Sequence, residues 1–115
     1  MSATHAVLDR VNAVRGVRGS LLVSGQDGLI VAEQVMDGVD ARAAAALAGS
    51  IVGRLVRTTE QAGLRAPTFV HLKAADGSIL AALGQDDLVL VTIVGTDANI
   101  GLARLEMLDA VARLV

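Results

Sequence analysis

The side chains in this 115-residue chain that could shuttle a proton, hold a metal or attack a carbonyl are two histidines, an adjacent pair of carboxylates and a few serines. His5 and His71 share no metal-ligand spacing, so each reads as a solvated side chain, one on a helix and one on an edge strand. Asp86-Asp87 has the composition of an acid–base pair, but it falls in an evident turn, where short carboxylates serve the backbone. Ser20 and Ser24 lack the strand–turn–helix elbow of a nucleophile, and Gly16-Val17-Arg18-Gly19 is too short and wrongly placed to cradle a phosphate. Cysteine is absent, which removes disulfides and thiolate metal sites. The expectation is a protein with no catalytic residues, no metal and no cofactor, and therefore not an enzyme.

Composition narrows the remaining classes. The chain is 53% hydrophobic with a single Phe and no Trp or Tyr, so its core is built from Ala, Val, Leu and Ile. A net charge of −2, spread over scattered single charges, gives no electrostatic footprint for nucleic acid and no basic patch for a membrane surface. Base-stacking platforms are missing too. No apolar run approaches the roughly 20 residues needed to span a bilayer, and MSATHAVLDR has no leader-like apolar core, so membrane insertion is not expected and the location is read as cytoplasmic. Residues 1–115 read as one domain.

The stretch that must position everything else runs from Asp40 to Gly63. Asp40 can accept from the first free backbone N–H groups and Gly63 supplies a left-handed stop, so the stretch reads as one long helix. Ala44, Leu47, Ala48, Ile51 and Leu55 form the stripe expected to be buried, with a second row of Ala45, Gly49, Val52, Gly53 and Val56 beside it. Ala43, Ser50, Arg54 and Arg57 make a polar strip. A helix on a single surface needs an apolar arc of roughly 100°, and this one is apolar over about twice that. Two bodies are needed to cover it. The small second row invites another backbone to come close, either that of its own sheet or that of a partner helix, the same helix from a second copy.

Residues 4 to 15 place Val7, Leu8, Val11 and Val14 at helical spacing. Val17–Ser24 and Leu29–Val35 read as strands joined by a type I′ turn at Asp27-Gly28. After the long helix come strands Thr68–Ala74, Ile79–Leu83 and Leu88–Val94, with turns at Asp76-Gly77 and Gly84–Asp87. The last helix has Thr96 or Asp97 as its cap and Ile100, Ala103, Met107, Val111 and Leu114 along one side. Arg104 falls inside that arc and is expected to snorkel to the rim or to fork to a carboxylate.

The fifth strand has no polar face, so it should be central and covered on both sides. Joining the two hairpin-linked groups through their most apolar members gives an α+β fold: a five-stranded antiparallel sheet of order 2-1-5-4-3. The connection from strand two to strand three must then cross the sheet diagonally, about 30 Å for seven-residue strands. A helix of some 22 residues is about 33 Å long. The long helix is placed alone on one face and the two terminal helices on the other. Strand three is left as an edge that only Lys73 and Pro67 defend. A homodimer follows as the expectation, through Ala45, Gly49, Val52, Gly53 and Val56 on the helix and Phe69, Val70, His71 and Leu72 on the strand.

Taken in order, Val17–Ser24 followed by Asp27-Gly28-Leu29-Ile30-Val31-Ala32, the Ala-rich helix, Asp76-Gly77 before Ile79-Leu80, and Asp97-Ala98-Asn99-Ile100-Gly101-Leu102 resemble the roadblock/dynein light chain family. The resemblance covers nearly the whole chain. It implies the same sheet and layers, dimers built through the long helix and strand three, and a role in regulating or carrying other proteins, notably small Ras-like GTPases. Bacterial members of MglB type, activators of a polarity GTPase, are similar to it. On that resemblance Ser50, Arg54 and Arg57, left outside after dimerisation, are the expected partner-binding residues. A scaffold subunit without effect on GTP hydrolysis is the alternative.

Overall fold

The structure is a computed structural model and describes residues 3–24 and 27–114. Met1, Ser2 and Val115, at the ends of the expected domain, lie outside the described residues, as do Gly25 and Gln26 in the first hairpin. The elements are α1 (Ala3–Asn12), β1 (Val17–Ser24), β2 (Leu29–Val35), α2 (Ala41–Gln61), β3 (Phe69–Ala74), β4 (Gly77–Leu83), β5 (Leu88–Gly95) and α3 (Ile100–Arg113). The strands form one sheet in the order β2-β1-β5-β4-β3, every neighbouring pair antiparallel. The topology matches the order inferred from the apolar pattern.

β5 is central for the reason visible in its sequence. Leu90 and Val94 enter a core closed by α1 and α3, while Val89 and Val91 enter a second core closed by α2. Leu8, Val11, Leu22, Leu80 and Met107 fill the first, and Leu21, Val23, Ala45, Ala48 and Val52 the second. Each large aliphatic side chain withdrawn from water contributes about 1.5–3 kcal/mol, which lets a core almost without aromatics hold.

α2 is capped as expected. Asp40 Oδ1 accepts from the Ala43 N–H at 3.0 Å, and Gly63 follows the last turn at φ 78°. Its rotation about its own axis differs from the expectation. The face on the sheet is Ala41, Ala44, Ala45, Ala48 and Val52, whereas Leu47 is exposed and Ile51 and Leu55 are only half-buried. Small residues face inward because the first hairpin comes hard against the helix: a Cβ on Gly28 would stand 3.2 Å from the Ala45 carbonyl oxygen. The wide apolar arc is real, but the large side chains sit on its flank.

The turns also differ in detail. The β1–β2 connection spans four residues, Gly28 at φ 64° donating to Ser24 O at 2.9 Å, so Asp27-Gly28 is not a two-residue type I′ turn. The β3–β4 hairpin turns on Ala75-Asp76, since Ala74 pairs with Gly77. Gly77 already belongs to β4, where a Cβ would lie 2.5 Å from Val94 O. The type I′ geometry occurs instead at Asp86-Asp87, with φ 58° and 61° and Leu88 N–H donating to Gln85 O at 3.2 Å. Both carboxylates thus sit where turn chemistry puts them. α3 is capped by Asn99, whose Oδ1 accepts from the Leu102 N–H at 3.1 Å, in place of the expected Thr96 or Asp97. Ala98 N–H already closes a turn onto Gly95 O, so the chain enters the helix two residues later.

Two polar side chains are fully buried under α1. Ser20 Oγ donates to Asn12 Oδ1 at 2.8 Å, and Asn12 Nδ2 donates to Gln34 O at 3.0 Å. Thr92, paired with Ser20 across the β1–β5 ladder, has a buried hydroxyl without a hydrogen-bond partner among the described residues. An unpaired buried hydroxyl costs roughly 1–3 kcal/mol. Thr92→Val, nearly isosteric, is therefore expected to stabilise the fold by about 1 kcal/mol, read as a higher midpoint in urea at unchanged slope.

Candidate interaction surface

α2 packs chiefly on β2, β1 and β5, so on its side of the sheet the strands β4 and β3 are left partly bare. The sequence alternation of β3 sends Val70 and Leu72 to this face and Phe69, His71 and Lys73 to the face of α3. Leu47 on the flank of α2 is 42% exposed and Leu72 is 37% exposed. They line one open cleft of about 380 Å³ together with Ile79 and Ile93. Ile51 and Leu55, half-buried, continue the apolar flank along the helix.

The outer edge of β3 is unpaired. Leu83 N–H donates to Thr68 O at 3.0 Å, which fixes the phase of the β3–β4 ladder. In an antiparallel ladder the backbone groups of alternate residues point the same way, so those of Val70, Leu72 and Ala74 engage β4, and those of Phe69, His71 and Lys73 point out of the sheet.

Beside the Leu47 row of the helix lies a polar groove floored by Gly49 and Gly53 and walled by Ser50, Arg54 and Arg57, about 460 Å³ in volume. Among the described residues the ion pairs join Arg10 and Arg113 to Glu106 and Asp109, and none engages Arg54 or Arg57. Both arginines are exposed. Gly53 is not needed by its own chain: an added Cβ would meet only Arg57 Nη1, at 3.6 Å.

The expected interface is therefore split by the structure. Ala45, 1% exposed, and Val52, 6% exposed, lie against the chain's own sheet, and Val56, half-buried, packs on the same core. Gly49 and Gly53 belong to the arginine groove. Val70 and Leu72 border the bare face as expected, while Phe69 lies on the other face under Arg104, whose guanidinium carbon is 5.6 Å from the ring centre. Arg104 is exposed, which agrees with the rim alternative, and there its guanidinium stacks in a cation–π contact in place of a fork to a carboxylate. Sequence reasoning places Leu47 in the buried stripe of α2 and gives Ile79 and Ile93 no surface role. Ala41 held the missing signal, because with Ala44, Ala45, Ala48 and Val52 it makes a stripe at three- and four-residue spacing that moves Leu47 to the flank.

The model of the Roadblock/LC7 domain family matches residues 4–94. The chain belongs to the Roadblock/LC7 family. Over 113 residues it is 32% identical to an uncharacterised protein of Methanocaldococcus jannaschii, covering 98% of this chain and 94% of that protein. Among solved structures, Myxococcus xanthus MglB superposes with a TM-score of 0.88 at 21% identity, covering 99% of this chain and 93% of that one. A Roadblock/LC7 domain from Streptomyces avermitilis superposes with a TM-score of 0.83 at 18% identity over 95% and 92% of the two chains. At those identities the two superpositions establish the Roadblock fold. Among the described residues, no helix of this Roadblock chain is long and apolar enough to cross a membrane, and no cluster of three His, Asp or Glu side chains could hold a metal.

Proposed function

We propose that the chain is a non-catalytic, cytoplasmic homodimer that binds a small Ras-like GTPase. The observation that carries the dimer is the continuity of two bare features: the cleft of Leu47, Leu72, Ile79 and Ile93, and the unpaired edge of β3 beside it. A two-fold axis at that edge pairs β3 with its copy and brings the Leu47 flank of each α2 over the bare face of the other subunit. One operation covers both liabilities, the open strand edge and the exposed apolar patch. A mass of one chain at micromolar concentration in light scattering would remove the dimer.

The partner surface is the groove of Ser50, Arg54 and Arg57, which adjoins the Leu47 flank. Unpaired arginines beside a glycine floor suit the planar, bidentate capture of carboxylates on a docked protein. Family membership supports a GTPase as that protein. The deciding experiment is single-turnover GTP hydrolysis by a small Ras-like GTPase from the same organism, with and without the chain. Faster hydrolysis supports a regulator, binding without acceleration makes the chain a scaffold, and no binding removes the reading. Gly53 adds a test of its own. Gly53→Ala is expected to stabilise the free chain by about 0.5–1 kcal/mol through helix propensity while weakening the GTPase complex, because the methyl group fills the groove floor. A thermal melt and a binding isotherm on the same sample check both halves.

A further inference from the structure

The pairing register of β3 with its copy is constrained by what the free edge presents, and the constraint falls on His71. This step rests on the dimer reading above. The residues whose backbone N–H and C=O groups face outward are Phe69, His71 and Lys73. Only a register that sets these residues against one another can form the new ladder, and only such a register keeps each side chain on its own face of the joined sheet. With His71 opposite its own copy, Phe69 stands opposite Lys73 of the second copy and every outward backbone group of the three residues is paired. Sliding two residues toward the Ala75-Asp76 turn sets His71 opposite Lys73 and leaves Phe69 against the turn. Sliding the other way brings in Pro67, which has no N–H to donate.

We infer that β3 pairs across the two-fold axis with His71 facing His71 of the second copy, and that the dimer therefore weakens when these imidazoles take up protons. Among the described residues no carboxylate is paired with His71. On its own strand His71 shares its face with Lys73; β4 contributes Ser78, whose Oγ lies 2.8 Å from His71 Nε2, and apolar Leu80; α3 contributes Arg104 over Phe69. Asp76, the carboxylate nearest in sequence, is in the turn beyond Lys73. Ser78 Oγ can accept a hydrogen bond from the ring in either charge state, so it does not favour the cation. The second copy adds the same cations across the axis. Protonation thus places two positive rings opposite each other between two lysines and two arginines, and like charges directly opposite on a sheet are repulsive. Imidazole is the side chain that changes charge between about pH 5 and 8, so the interface is proton-sensitive in a range where carboxylates stay ionised.

The dimer dissociation constant, measured by sedimentation equilibrium at about pH 7.5 and about pH 5.5, is expected to rise about fivefold on acidification. His71→Gln should abolish the rise and His5→Gln should retain it. A stable wild-type dimer with the same constant at both pH values, or a rise that survives His71→Gln, overturns the inference while leaving the dimer standing. A single-chain mass at both pH values overturns the dimer itself. The register has its own test, because the chain contains no cysteine. Hydrogen-bonded partners in an antiparallel ladder have Cα atoms about 5.5 Å apart, within the roughly 4.4–6.8 Å that a disulfide spans. Oxidised His71→Cys should run as a covalent dimer and Lys73→Cys should not; the reverse pattern overturns the register.

Discussion

Leu47→Glu and Leu72→Glu, each made alone, are expected to convert the proposed dimer into a folded monomer. Leu47 and Leu72 are 42% and 37% exposed in the single chain, so a carboxylate at either can stay hydrated and the fold loses little. In the proposed dimer the same carboxylate is pressed into a mainly apolar cleft that Arg18 and Lys73 also line, and where neither cation reaches it, removing the ion from water costs several kcal/mol even after relaxation. A penalty of about 3–5 kcal/mol is a loss of roughly 10²–10³-fold or more in dimer affinity. Light scattering at micromolar concentration should return the mass of one chain, with the far-ultraviolet circular dichroism unchanged and the melting temperature lower only by what the dimer contributed. Ala45→Glu and Val52→Glu provide the opposite control. Both side chains lie under the sheet, so these variants should fail to fold, whereas a helix turned with Ala45, Val52 and Val56 outward would give folded monomers from them and unfolded protein from Leu47→Glu.

That contrast marks where the sequence was legible. The strand order was readable because β5 lacks a polar face and because one helix had to span the sheet; both follow from composition and length alone. The rotation of α2 was not, since an arc wide enough to be apolar on two sides does not say which part faces inward. Tertiary packing decided it: the Gly28 turn leaves room on the helix for Ala45 and not for Leu47. Turn positions were legible only to within a residue or two, because Asp-Gly satisfies several turn geometries and the pairing of Ala74 with Gly77 was set by the ladder. Arg104 illustrates a longer reach. Its partner Phe69 is the chain's sole aromatic residue, on a strand that meets α3 only once the sheet is assembled. The basic strip was visible from the sequence as Ser50, Arg54 and Arg57, but whether ion pairs occupied it depended on the carboxylates, and among the described residues the paired ones are Glu106 and Asp109 on α3.

The second large effect is expected at that strip. Arg54→Glu with Arg57→Glu should abolish GTPase binding while leaving the dimer mass and the melting temperature near those of the wild type. Among the described residues neither arginine has an ion-pair partner to lose, and both are exposed, so the fold has little stake in their charge. In a docked complex each would face a carboxylate. Truncating one member of a desolvated, hydrogen-bonded charge pair costs about 2–5 kcal/mol, and reversal adds repulsion on the same site. Arg54→Ala alone should then weaken binding at least roughly 30-fold, seen mainly as faster dissociation, and the double reversal should leave no measurable complex at micromolar concentration. Arg15→Glu, the same change of charge at an exposed position on the α1–β1 connection, separates local contact from long-range attraction. It should lower only the association rate, by a small factor that disappears in high salt, because a charge outside the contact acts through the screened field alone. If Arg15→Glu and Arg54→Ala weaken binding equally, and salt removes both effects, the groove contributes diffuse charge and the docking contact lies elsewhere on the dimer.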